Sequence, residues 1–100
     1  MGAIVYGTGE NRFHLEDRML AHVKTITLMK LRRNESFSVT LRDTSTERGR
    51  VTLWLHPSIP LQFSFESDET FEMDRPLLED LMHGANGGEV TVRADTEELA

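Results

Sequence analysis

The chain has 100 residues, of which 38% are hydrophobic and 28% charged, with no cysteine and a formal net charge of −6. A chain this short forms a single domain around one core, and its ordinary composition excludes collagen-like, low-complexity and disulfide-scaffold classes. The acidic balance argues against phosphate backbones as partners unless the basic residues are focused in one place.

Ala3-Ile4-Val5-Tyr6 predicts a short strand, Gly7 to Asn11 a turn, and Phe13-His14-Leu15-Glu16 the returning strand of a hairpin. Asp17 then fits the N-cap of a long helix from about Arg18 to Arg33. On that helix Met19, Leu20, Val23, Ile26, Thr27 and Leu31 share one broad face, while Leu28 and Met29 fall off it. Lys30, Arg32 and Arg33 crowd the last turn, where positive charge complements the helix dipole. Asn34 tolerates the left-handed conformation that often ends a helix.

The middle of the chain alternates with a period of two. Phe37, Val39 and Leu41 form one inward row, Val51, Leu53 and Leu55 a second, and Leu61, Phe63 and Phe65 a third. Asp43 to Gly49 connects the first two strands, and Pro57-Ser58-Ile59-Pro60 interrupts the ladder before the third. Closeness in sequence predicts an antiparallel meander of the three. An acidic loop leads to Asp74 as a second N-cap, Pro76 opens the second helix, and Leu77, Leu78, Leu81 and Met82 give its apolar face as far as Gly84. Asn86-Gly87-Gly88 reads as a turn, and Val90 and Val92 mark a last strand. The expectation is a single α+β domain over residues 1–95, ordered β-β-α-β-β-β-α-β, with a predominantly antiparallel sheet of five to six strands. Residues 96–100 read as a frayed acidic tail.

Charge is uneven along the chain. The first fifty residues hold nine Lys/Arg against six Asp/Glu, and the last fifty two against eleven. The basic residues concentrate in Lys24, Lys30, Arg32 and Arg33; the acidic ones lie from Glu66 to Asp74 and again at Asp95, Glu97 and Glu98. Such asymmetry marks either a local nucleic-acid patch or two regions that neutralise one another.

Three stretches carry a resemblance: Ile4-Val5-Tyr6-Gly7, Lys30-Leu31-Arg32-Arg33-Asn34-Glu35-Ser36-Phe37, and Trp54-Leu55-His56-Pro57-Ser58-Ile59-Pro60-Leu61. They resemble a family of small actinobacterial proteins described as a domain of unknown function, over nearly the whole chain. Members of that family are sometimes labelled "ATP-dependent DNA ligase". The resemblance implies no catalytic residue. Adenylation by such ligases uses a lysine in a Lys-x-Asp-Gly motif, whereas Lys24 is followed by Thr25-Ile26-Thr27 and Lys30 by Leu31-Arg32-Arg33. Ligase catalysis is therefore not expected, and DNA association is a separate question.

No constellation of catalytic type stands out. His14, His22, His56 and His83 show no metal-ligand spacing and read as surface or edge histidines. Gly7-Thr8-Gly9 lacks the Gly-Lys-Ser/Thr ending of a phosphate loop, and the serines lack a nucleophile elbow. No catalytic, cofactor or metal residue is assigned. The informative feature is the outward row Arg50, Thr52, Trp54 and His56, beside Ser36, Ser38, Thr40 and Arg42 and then Gln62 and Ser64. Tryptophan among Ser, Thr and Arg suits an interface. Two functions are expected from these residues. The first is a non-enzymatic interaction module that self-associates as a homodimer through that row or through Leu28 and Met29, with an unidentified protein partner as a further possibility. The second is an accessory nucleic-acid-binding protein using Lys24, Lys30, Arg32 and Arg33, with Arg48 and Arg50 beside them. No apolar run approaches the roughly 18 residues of a membrane span, no signal peptide is read at the N-terminus, and a cytoplasmic location is expected.

Overall fold

The computed structural model describes residues 1–9, 11–43 and 49–93. In chain order these form β1 (Gly2–Tyr6), β2 (Asn11–Leu15), α1 (Asp17–Arg32), β3 (Phe37–Asp43), β4 (Gly49–Leu55), β5 (Leu61–Ser64), α2 (Arg75–Asn86) and β6 (Glu89–Arg93). The α+β class and the element order are those read from the sequence. The strands divide between two three-stranded sheets, ordered β2-β1-β5 and β4-β3-β6. Arg48 and the acidic residues Asp95, Glu97 and Glu98 lie outside the described residues, as does the expected tail.

In the first sheet β1 pairs antiparallel with β2, from Gly2 opposite Leu15 to Tyr6 opposite Asn11. Gly7 takes a φ of 73° in the connecting turn, a conformation glycine adopts without penalty. Gly7-Thr8-Gly9 is thus a hairpin turn, as expected. The expected meander is overturned at its third strand. β5 does not pair with β4 but runs antiparallel along the free side of β1, with Ala3 opposite Ser64 and Tyr6 opposite Leu61. The reason lies in the connection. Pro57 and Pro60 have no amide hydrogen with which to extend a ladder, and the Ile59 amide closes a turn on the His56 carbonyl at 3.0 Å. The Gly7 amide then donates to the Pro60 carbonyl at 2.9 Å and fastens the arriving strand to the end of β1. Gln62 and Ser64 consequently belong to the first sheet and not beside Trp54.

The second sheet is built from the β3–β4 pair, antiparallel from Phe37 opposite Leu55 to Asp43 opposite Gly49. β6 adds to the other side of β3 in parallel, from Ser38 beside Glu89 to Arg42 beside Arg93. Inward rows from both sheets and both helices meet in one core, which includes Ile4, Leu20, Ile26, Phe37, Leu55 and Val90. Burial of each large apolar side chain contributes about 1.5–3 kcal/mol, mostly offset by chain entropy. Val51, Leu61, Phe63 and Phe65, expected in the inward rows, pack against this core from partly buried positions.

Both helices depart slightly from expectation at their ends. Glu16, not Asp17, caps α1, its carboxylate accepting from the Met19 amide at 3.1 Å. Asp17 turns outward instead and accepts from the Ser67 amide at 3.1 Å and the Glu66 amide at 3.3 Å, holding the segment after β5 against the helix start. The chain leaves α1 through Asn34 at a φ of 65°, the left-handed role expected of it. Asp74 caps α2 as expected, accepting from the Leu77 amide at 3.2 Å. That helix continues past Gly84 to Asn86. A Cβ on Gly84 would lie 2.9 Å from the Glu89 carbonyl, so the glycine is there to let helix and strand approach, not to end the helix.

Candidate functional site

Alternation decides the outer face of the second sheet. Leu53 and Leu55 are buried, so their neighbours Thr52 and Trp54 face out, and Trp54 is 51% exposed. Strand register then carries the pattern across three strands. Ser38 stands between Trp54 and Glu89, Thr40 between Thr52 and Thr91, and Arg42 between Arg50 and Arg93. The face is therefore three rows: an aromatic–acidic row, a threonine row and an arginine row. The middle row is cross-bonded, with the Thr40 and Thr52 hydroxyls 2.7 Å apart and Thr40 also bonded to the Glu89 carboxylate. Thr40 is accordingly buried even though it belongs to the outer face. Arg42 and Arg50 are exposed, while Arg93 is half-buried and engaged within its own chain.

His56 extends the aromatic end, its ring centroid 6.5 Å from that of Trp54. Its Nδ1 accepts from the Ser58 amide at 3.1 Å and lies 2.8 Å from the Ser58 hydroxyl. A serine–histidine contact of this kind invites a nucleophile reading, yet the same nitrogen is bound by the serine's own amide two residues on. The contact closes the Pro57–Pro60 turn. Two cavities of about 350 and 330 Å³ are lined elsewhere, one between α1 and the 65–73 segment and the other between α2 and β6. Neither takes in His56 or Ser58. Among the described residues no group of three His, Asp or Glu is placed to hold a metal ion, and no helix is long and apolar enough to cross a membrane.

The residues on α1 separate. Leu28 is 53% and Met29 38% exposed, so both stand off the core as the periodicity predicts. They sit on a different element from Trp54, so the two apolar features are separate surfaces. The expected basic patch loses a member. Lys30 is 6% exposed, its ammonium held 2.9 Å from the Asn86 carbonyl oxygen and 3.0 Å from the Glu35 carboxylate. The Lys30 hydrogen bond, with Lys30 and Arg33 charges behind it, holds the Glu35 carboxyl below the usual carboxylate range. A phosphate cannot reach that ammonium without displacing both partners. Lys24 remains exposed over the Phe65 ring, 5.6 Å from its centroid, and Arg32 and Arg33 are exposed at the helix end.

Sequence reasoning missed two things. Glu89, Thr91 and Arg93 complete the open face, and their alternation with Val90 and Val92 is visible in the sequence, but nothing local says that β6 lies beside β3. His22, expected at the surface, is fully buried. Its Nε2 accepts from the Asp74 amide at 2.8 Å, so the ring proton sits on Nδ1 and is donated to the Arg18 carbonyl at 2.8 Å. The Arg18 guanidinium in turn faces the Asp74 carboxylate at 3.2 Å. The signal available was spacing alone: His22 falls between Leu20 and Val23 on the inner side of α1.

A family model for a domain of unknown function, DUF7882, matches residues 1–94. No curated protein and no solved structure gives a match.

Proposed function

We propose that this chain, which belongs to the DUF7882 family and takes no activity from that description, is a non-enzymatic interaction module that self-associates through the open face of its second sheet. The observation that carries the reading is Trp54, half-exposed on a sheet face whose Arg42, Arg50, Thr52, Glu89 and Thr91 are also exposed. Tryptophan and arginine exposed on one face are the residue types enriched in interfaces. The chain has no cysteine, so its fold needs no oxidising compartment, and the cytoplasm is the location we assign to this role.

Sedimentation equilibrium tests it. Wild type should exceed the 11.4 kDa of one chain at high micromolar concentration, and Trp54→Ser should return it to that mass. Leu28→Glu, on the other exposed apolar surface, should change nothing. A wild type that stays monomeric at high micromolar concentration overturns the reading. Nucleic-acid binding through α1 is the weaker alternative, because burial and pairing of Lys30 reduce the expected patch to Lys24, Arg32 and Arg33.

A further inference from the structure

Resting on that reading, we propose that the partner is a second copy of the chain, docked in one register: the two copies are related by a two-fold axis lying in the interface, at right angles to the strands, over the Thr52–Thr40–Thr91 row. The argument is charge complementarity across the three rows. Trp54, Ser38 and Glu89 lie on one side of the threonine row, and Arg50, Arg42 and Arg93 on the other. Closed two-fold association places the same patch on both copies, so the patch must complement itself. Only two in-plane axes bring one sheet face aligned onto the other.

An axis along the strands sets β4 against β6 and the arginine row against its own copy. The exposed Arg42, on the central strand, then meets Arg42 of the partner subunit. Like charges juxtaposed in this way reject the arrangement. An axis across the strands keeps each strand over its own copy and reverses its direction. Arg50 then covers the indole face of Trp54 of the partner subunit, a cation–π contact. Arg42 meets Ser38 of the partner subunit, clear of any like charge. Each contact occurs twice. The threonine rows meet at the axis, where small hydroxyl side chains, already paired within each sheet, let the faces approach.

The size of the face sets the strength of the dimer. Three strands about 4.8 Å apart and seven residues at about 3.3 Å per residue span roughly 14 by 23 Å. That is near 300 Å² per copy, well short of the ~800 Å² per partner of a standard stable interface. The dimer therefore exchanges rapidly with monomer and weakens in salt. A single-stranded nucleic acid would use the same chemistry, an aromatic platform and a row of cations, but the face's own Glu89 and the net charge of −6 favour the second copy.

A mixing experiment reads the register. Arg50→Glu alone and Trp54→Lys alone should each be monomeric, while both stay folded by circular dichroism because both positions are exposed. Mixed in equal amounts, they should form a heterodimer. The carboxylate introduced at position 50 meets the ammonium introduced at position 54 on one side of the axis, and the untouched Arg50 and Trp54 meet on the other. Trp54→Arg serves as a second cation should the lysine variant misfold. Wild-type dimers with monomeric variants that do not recover on mixing overturn the register and leave the interaction module standing. Wild-type dimers indifferent to both variants overturn the register and the face together. Submicromolar binding of a fluorescent single-stranded 20-mer of thymidylate, lost in Arg50→Glu, gives the face to nucleic acid and overturns the second copy as its partner.

Discussion

Two residues show how closely single side chains are specified. A Cβ on Gly2 would lie 2.5 Å from the Ser64 carbonyl and 2.6 Å from both the Asp17 carboxylate and a Leu20 methyl. Those neighbours belong to or adjoin β5 and α1, so the missing side chain at Gly2 is what allows strand, strand and helix to converge. Gly2→Ala should cost about 1–3 kcal/mol, the usual range for forced overpacking, measured by urea denaturation. Asp74 is specified by charge. The Leu77 amide, and then the Arg18 guanidinium, hold its carboxyl below the ordinary aspartate range. A carboxyl depressed on folding contributes stability that is fully present above its unfolded value, near pH 4, and lost as the pH falls through its folded value. Thermal stability should therefore decline on the acid side of pH 4, and Asp74→Asn should shallow that decline while lowering stability at neutral pH. A decline of unchanged steepness in the variant would show that other carboxylates govern it.

At the scale of elements, the α1–α2 contact turns on a histidine. The Asp74 amide has His22 Nε2 as its acceptor, and an apolar side chain there would leave that donor without one. His22→Leu should destabilise the fold by about 1–3 kcal/mol, the cost of an unsatisfied buried group. Loss at that level, measured in urea, checks the role; a neutral outcome removes it. Legibility at this scale follows the range of the interaction. The β1–β2 hairpin, α1, the β3–β4 hairpin and the Asp74 cap are specified by residues within a few positions of one another, and all could be read. The diversion of Asp17 to the Glu66 and Ser67 amides, the partner of β5 and the parallel β6 depend on contacts across the fold. Periodicity states which side of a strand is buried but not which strand lies next to it. The same limit applied to the site: Arg50, Thr52 and Trp54 were legible as an outward row, whereas the completing Glu89, Thr91 and Arg93 were not. Lys30 was misjudged for the converse reason. Its place in the basic last turn was visible, and the Asn86 that buries it comes from 56 residues away.

At the scale of the whole molecule, the two expectations about charge resolve in part. Arg18 meets Asp74, and Lys30 meets Glu35, so some basic groups of α1 are neutralised locally. The exposed Arg42 and Arg50 belong to the second sheet, whereas the acidic 65–73 segment lines a cavity against α1. Trp54 gives that surface one more property. It is the chain's single tryptophan, and it stands half in water on the folded monomer. Under the proposed dimer its fluorescence reports assembly more than folding. Dilute protein should unfold in urea with little change in emission maximum while its circular dichroism collapses. Concentrated protein should emit further to the blue and return to the dilute spectrum on dilution or on addition of salt.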